Sequence, residues 1–134
     1  MRYALDTNAI ILFLREDPRI REKFDAAVGR GDEIAVPPLV HFEVLRGFMC
    51  KPAPKKEKTY QLMIGHFPVR ELSVESLERG ASIYANLYRA RRTVDDVDLL
   101  IAAYCIVGGY VLVTNNTKHF KVIGGLMLED WSAS

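Results

Sequence analysis

Cysteine and histidine are scarce in this sequence, and neither falls into a metal-binding or redox motif. The two cysteines, Cys50 and Cys105, lack CxxC spacing, and Cys105 lies in an apolar helical run. We therefore expect both to be reduced thiols of a cytoplasmic protein. The three histidines, His41, His66 and His119, lack HxH and HxxxH spacing, which predicts surface or structural positions rather than metal ligands.

The chain also lacks a long apolar run and an N-terminal signal. Its longest nearly apolar stretch, from Leu99 to Val113, is interrupted by Gly108 and Gly109 and is shorter than the roughly 18 residues that a membrane span requires. The would-be apolar region at the N-terminus is interrupted after Leu5 by Asp6, a pattern that excludes a secretory signal. These absences predict a protein with no membrane partner.

An excess of charge of either sign is missing as well. Lys and Arg total 18 and Asp and Glu total 17 among 134 residues, a net charge of +1. This balance excludes a highly basic nucleic-acid coat and an acidic tail, but it leaves a nucleic-acid enzyme open because net charge hides local clusters. Two basic clusters occur, at 51–58 and 88–92. Each fits either a solvated surface or a binding patch.

Short apolar runs alternate with helical patterns along the chain. The runs predict strands at 3–5, 34–36 and 110–113, a weak strand at 69–72 and a last one at 126–128. The patterns predict helices at 9–14, 18–29, 38–48, 57–66, 73–91 and 97–107, with a loop at 51–58. This alternation is typical of an α/β fold with a central, mainly parallel sheet flanked by helices, here a single domain over residues 1–134.

Two carboxylates occupy positions where a purely structural role is hard to assign. Asp6 ends the first predicted strand, and ligands of open α/β sheets bind beyond the carboxyl ends of strands; the alternative is a cap for the helix that follows. Glu43 shares a helical stripe with Val40 and Val44, where a carboxylate is costly unless it is paired or binds a cation. Its alternative is an ion pair with Arg46.

A third carboxylate, Asp98, opens the most apolar helix of the chain. Capping explains a single aspartate there, but Asp95 and Asp96 are candidates for the same cap, and three aspartates together repel unless a cation neutralises them. Mg²⁺ and Mn²⁺ prefer hard oxygen ligands and are held by a few carboxylates plus substrate phosphate. The sequence therefore suggests a divalent-metal site built from Asp6, Glu43 and Asp98, if the three meet in space.

Five segments in order along the chain carry a resemblance to a known family. They are Leu5-Asp6-Thr7-Asn8, Phe42 to Gly47, Asp98 to Ala103, Leu112 to Phe120, and the ending formed by Gly125-Leu126 and Glu129-Asp130-Trp131. Together they resemble the PIN-domain family, and within it the small VapC-type toxins of prokaryotic toxin–antitoxin pairs. The resemblance spans nearly the whole chain.

The resemblance implies a metal-dependent endoribonuclease whose catalytic and metal-binding residues are Asp6, Glu43 and Asp98, with Mg²⁺ or Mn²⁺ as cofactor. It also implies a PIN-like fold, an RNA substrate, a cognate antitoxin and a homodimer. The family often has a fourth acidic residue where this chain has Asn116. The smaller negative charge predicts one tightly held metal rather than two.

Four polar residues are candidates for supporting the acidic site. Thr114 ends a predicted strand and could orient a water or phosphate, or cap the turn that follows. Asn8 and Asp96 lie beside the carboxylates in sequence, and Asn116 offers an amide oxygen to a cation or its water. In the expected mechanism Asp6 and Asp98 hold the cation, Glu43 ligates it or orients the attacking water, and the phosphodiester is cleaved by in-line displacement.

Three alternatives remain at this point. A phosphatase of the haloacid dehalogenase type also ends its first strand with Asp, but its D-x-D-x-T pattern requires Asp where this chain has Asn8. The second alternative is a non-catalytic PIN-like module that binds RNA or protein. The presence of Asp6, Glu43 and Asp98 argues against it, but the neutral Asn116 in the fourth acidic position leaves it open. The third is DNA as the substrate of the same chemistry.

Overall fold

Four short strands form one parallel sheet at the centre of the fold. The computed structural model describes residues 1–133; Ser134, the last residue of the predicted domain, lies outside the described residues. The strands are β1 (Arg2–Leu5), β2 (Glu33–Ala35), β3 (Val111–Val113) and β4 (Met127–Glu129), in the spatial order β2-β1-β3-β4. Each neighbouring pair is parallel, so the carboxyl ends of all four strands face the same edge.

Seven helices accompany the strands among residues 1–133. They are α1 (Thr7–Leu14), α2 (Pro18–Gly29), α3 (Pro38–Cys50), α4 (Pro54–His66), α5 (Val74–Arg89), α6 (Asp96–Gly108) and α7 (Thr117–Phe120). Capping interactions define several helix ends. The side chains of Asp17 and Ser73 accept hydrogen bonds from backbone N–H groups at the starts of α2 and α5. Gly109 ends α6 in the left-handed conformation, with a φ of 70°. The α/β prediction is confirmed.

The core lies on both faces of the two central strands. The side chains of β3 are buried throughout, and α6, which packs against β3, α3 and α5, buries a continuous run from Ile101 to Cys105. This explains why that stretch is apolar nearly all round. A parallel sheet covered by helices has no solvent-facing side, so its central strands read as continuous apolar runs.

The buried face of α5 packs closely against α6 and contains two small residues, Ser76 and Gly80. Ser76, Gly80, Ile83 and Leu87 are buried, and a Cβ at Gly80 would lie 3.2 Å from a methyl of Leu100. Of the apolar residues that recur at helical spacing in the sequence, Leu87 is buried, whereas Leu77 and Tyr84 are about half exposed and Ala81 is exposed.

Two predicted elements are wrong. Residues 69–72 form no strand; Val69 and Leu72 instead pack as partly buried side chains against the core, which two apolar residues can do without strand pairing. The segment 51–58 is not a loop throughout, because α4 begins at Pro54. Proline is favourable in a first helical turn, and the Glu57 carboxylate accepts a hydrogen bond from the Ala53 backbone (3.2 Å).

Both cysteines are free thiols, as expected, Cys50 exposed and Cys105 buried. No helix within residues 1–133 is long and apolar enough to cross a bilayer.

Candidate active site

The site is built where β1 and β3 end side by side. Leu5 pairs with Val113 in the sheet, and the next residues, Asp6 and Thr114, are both buried, with 5 % and 1 % of their surface exposed. The Thr114 hydroxyl donates a hydrogen bond to Asp6 Oδ2 (2.9 Å). Two neighbouring strand ends thus hold a carboxylate in one orientation.

The electrostatic state of Asp6 reflects its burial and its acidic neighbours. The pKa of Asp6 is raised to about 6, chiefly by burial and in smaller part by the charges of Asp98 and Glu43, while hydrogen bonds from the Thr114 hydroxyl and the Thr7 backbone act in the opposite direction. Asp6 stands at the N-cap position of α1 but its side chain makes no capping hydrogen bond. The capping alternative therefore does not account for this carboxylate.

Glu43 projects from α3 toward the same edge. Its side chain is 18 % exposed; Oε1 accepts a hydrogen bond from the Thr7 hydroxyl (2.6 Å), and Oε2 lies 3.4 Å from Arg46 Nη2. The ion pair weighed as an alternative is therefore present, at the long end of the hydrogen-bond range. The shorter contact ties Glu43 to the residue after Asp6.

Asp98 lies in the first turn of α6 and contacts a residue that the sequence did not single out. Its Oδ2 is 2.9 Å from His119 Nε2. Capping is not the role of the aspartates here, because the N-cap residue Asp95 makes no side-chain capping bond and Asp95 and Asp96 are exposed. The surface or structural position predicted for His119 agrees with its partly exposed side chain; the contact with Asp98 was not predicted, and the signal that could have found it is the place of His119 in the segment after β3.

The predicted supporting residues divide into those that join the network and those that do not. The Asn8 amide nitrogen donates to Thr114 Oγ1 (3.2 Å), and the Asn116 backbone N–H donates to the same oxygen (3.0 Å). Asn116 and Asp96 are exposed. Asn8 and Thr114 thus link α1 to the loop after β3, whereas Asn116 takes part through its backbone.

The donor set suits a hard divalent cation. It consists of carboxylate oxygens, which Mg²⁺ and Mn²⁺ prefer, and the charges of Asp98 and Glu43 are near enough to Asp6 to contribute to its raised pKa, although burial is the larger cause. Within residues 1–133, no three acidic, histidine or cysteine side chains are already gathered as a metal-binding cluster. Metal binding therefore requires the carboxylates to converge.

Comparison with known proteins decides the family. The PIN domain model matches residues 3–126. The chain belongs to the PIN domain family. Among curated proteins, this PIN domain is 28 % identical over 134 residues to the tRNA(fMet)-specific endonuclease VapC of Shigella flexneri, covering 98 % of this chain and 99 % of that protein. It is 32 % identical over 123 residues to ribonuclease VapC19 of Mycobacterium tuberculosis (strain H37Rv), covering 91 % and 94 %.

A solved structure agrees with the architecture. The DNA-bound VapBC complex of Salmonella typhimurium contains a chain that superposes on this PIN domain with a TM-score of 0.88 at 26 % identity, covering 98 % of both chains. The strand order and flanking helices described above are therefore those of a VapC-type PIN domain.

Proposed function

We propose that this PIN domain is a divalent-metal-dependent endoribonuclease and the toxin of a toxin–antitoxin pair. The observation that carries the proposal is the buried Asp6 at the carboxyl edge of the sheet, with a pKa raised by burial and by Asp98 and Glu43. A buried carboxylate in this state, at the edge of the sheet where ligands bind, is a candidate functional residue. The curated relatives are named as VapC nucleases.

Asp6, Glu43 and Asp98 would hold Mg²⁺ or Mn²⁺. Such a metal supplies an activated water and stabilises charge on the scissile phosphate. Asn116 is neutral where the family often has an acid, so we propose one tightly held metal. Anomalous scattering from crystals soaked in Mn²⁺ tests this: two fully occupied sites would contradict it.

The residues around the carboxylates set their orientation. The Thr114 hydroxyl holds Asp6 at Oδ2, and the Thr7 hydroxyl holds Glu43 at Oε1. Oε2 of Glu43, which lies 3.4 Å from Arg46 Nη2, would orient the attacking water for in-line displacement. His119, bonded to Asp98 Oδ2, holds the third carboxylate. One oxygen of each acid is thus held by a neighbouring side chain.

Three partners belong to the proposal: an RNA substrate, a cognate antitoxin and a second copy of the chain. The Salmonella typhimurium structure that resembles this PIN domain is a VapBC complex, which supports an antitoxin partner. Helix α5 also supports a protein contact. Its side chains Leu77, Tyr84 and Tyr88 are 47–73 % exposed, and large apolar side chains grouped on a surface are typical of interaction sites. The basic clusters support guidance of an RNA backbone.

The test is RNA cleavage by the purified chain. We expect cleavage of total RNA in Mg²⁺, loss of cleavage in EDTA and recovery when Mg²⁺ is restored. Asp6→Asn, which keeps the side-chain shape, should remove cleavage while leaving the circular dichroism spectrum unchanged. Activity that is absent or insensitive to EDTA would favour the non-catalytic binding module. A matched single-stranded DNA distinguishes DNA from RNA as the substrate.

A further inference from the structure

A groove beside the acidic site lies between α1, α3 and the segment joining α3 to α4. We call it the side groove; its volume is about 360 Å³, within the range of small-ligand sites. Its floor is apolar, formed by Ile11, Leu14, Val44 and Phe48, and its lining also includes Thr7 and Glu43. The side groove is therefore continuous with the carboxylate site.

Cations surround this apolar floor. Arg15, Lys51 and Lys56 line the side groove, and all three are exposed. Within residues 1–133, none of the three takes part in an ion pair. Three cations without an ion-pair partner among residues 1–133 thus line the same groove as the Glu43 carboxylate.

We propose that the side groove binds the base of a nucleotide next to the scissile phosphodiester, with Arg15, Lys51 and Lys56 contacting the adjoining phosphates. The proposal rests on the ribonuclease function above and names a subsite for its substrate. Single-stranded RNA is recognised through splayed bases against apolar and aromatic side chains and through phosphates on cations. The side groove offers both, and its lining includes Glu43 of the carboxylate site, whereas an apolar peptide would leave the three cations unmatched.

Gly47 offers a way to fill the side groove without disturbing the fold. It lies in α3 and lines the groove, and a Cβ added there meets nothing within 4 Å. Gly47→Leu therefore places an apolar side chain in the space proposed for the base. Gly65→Leu is the matched control, because Gly65 lies in α4, outside the groove lining, and its added Cβ also meets nothing within 4 Å. Both changes favour the helix.

The measurement is the affinity for fluorescein-labelled ten-nucleotide oligo(A), oligo(C) and oligo(U) by fluorescence anisotropy. It is made in an Asp6→Asn background with Mg²⁺, so that RNA is not consumed. We expect Gly47→Leu to weaken the tightest of the three by about tenfold or more, the effect of losing a stacked base, and to reduce the differences among them. Gly65→Leu should bind like the parent.

The cations are tested through the salt dependence of binding. The double substitution Lys51→Ala and Lys56→Ala should make the negative slope of log affinity against log salt less steep by roughly 1.4. Each phosphate contact on a single strand contributes about 0.7 to the magnitude of that slope. An unchanged slope would overturn the phosphate contacts.

Cleavage and binding separate the two proposals. If the wild-type chain cleaves RNA with Mg²⁺ but Gly47→Leu binds every oligonucleotide as tightly as the parent, the base subsite is wrong and the ribonuclease function stands. If Gly47→Leu instead loses only an antitoxin peptide, the side groove is a protein-docking site and the proposal is overturned. If the wild-type chain cleaves nothing but Gly47→Leu still loses RNA binding, the subsite stands and the enzymatic function fails.

Discussion

Acidic residues at the two edges of the parallel sheet stand in opposite electrostatic conditions. At the amino edge, Glu33 lies beside Arg2, whose hydrogen bond lowers the pKa of the carboxyl, and Asp32 pairs with Arg30 and the N-terminal amine. At the carboxyl edge, burial and neighbouring acids raise the pKa of Asp6. The acids of the first edge are paired with cations, whereas Asp6 at the second edge is buried near other acids and accepts its side-chain hydrogen bond from the neutral Thr114.

The difference identifies which acids are structural. A carboxylate buried near other carboxylates costs folding free energy, so a chain retains one where something other than stability requires it. A paired surface acid has a sufficient explanation in its partner. The proposals for the carboxyl edge can be tested by changing one acid at each edge and comparing the results.

The largest expected effect is on RNA cleavage. Asp98→Asn or Glu43→Gln should lower the cleavage rate by about 10³-fold or more, because each removes a charge that would hold the metal. Glu33→Gln removes a charge at the other edge and should leave the rate within about twofold. Rates under single-turnover conditions measure both. Equal losses at the two edges would show that the effect is one of general folding or charge.

A second contrast is the effect of Mg²⁺ on thermal stability. Metal that binds only the folded state should stabilise the wild-type chain by about 2.7 kcal/mol at one hundred times its dissociation constant. The gain should persist in Glu33→Gln and vanish in Glu43→Gln. Thermal denaturation followed by circular dichroism over a Mg²⁺ series gives the values. A gain that survives in Glu43→Gln would place the metal elsewhere.

The sequence contained enough information to predict a parallel sheet and to propose Asp6, Glu43 and Asp98 as one site. Asp6 and Asp98 lie directly at a strand end and a helix start, where chain order and the parallel topology predict position. The helical stripe of Glu43 did not distinguish a metal ligand from a partner of Arg46, and the structure contains that ion pair beside the hydrogen bond from Thr7. His119 was missed because its contact with Asp98 spans 21 residues and depends on how α7 packs. The strand predicted at 69–72 failed because pairing is decided by neighbours that the local pattern does not contain.

A third contrast concerns stability without metal. The pKa of Asp6 is raised from 3.8 to about 6, so the folded state holds this proton more tightly than the unfolded state. Its ionisation therefore removes stability as pH rises from about 4 to about 6. In EDTA, Asp6→Asn should be more stable than wild type by about 1–3 kcal/mol at pH 7.

The difference should shrink toward zero at about pH 3.5, where Asp6 is protonated in both states. Urea denaturation at several pH values measures it. A variant that is less stable than wild type at pH 7 would show that hydrogen bonding by Asp6 outweighs the cost of its charge.

A smaller effect is expected at His119. His119→Ala removes the group bonded to Asp98 Oδ2 and should weaken Mn²⁺ binding by about tenfold, as loss of an orienting partner usually does. His119→Gln, which can donate to the same oxygen, should recover part of the affinity. His66→Ala, a change at an exposed histidine in the last turn of α4, is the control. Titration calorimetry with Mn²⁺ distinguishes them, and equal affinity in all variants would remove His119 from the site.

The smallest effect returns to the amino edge. Glu33 and Arg2 are each about half exposed, and an exposed ion pair contributes about 0.2–1 kcal/mol. Because the folded pKa of Glu33 is lowered, this contribution is present above the unfolded pKa and is lost as pH falls below it. Glu33→Gln should therefore destabilise slightly at pH 7, opposite in sign to Asp6→Asn in EDTA. If the two substitutions change the free energy of unfolding with opposite signs, the acid at the carboxyl edge is present at a cost to stability. If the two changes have the same sign, the two edges do not differ in this respect.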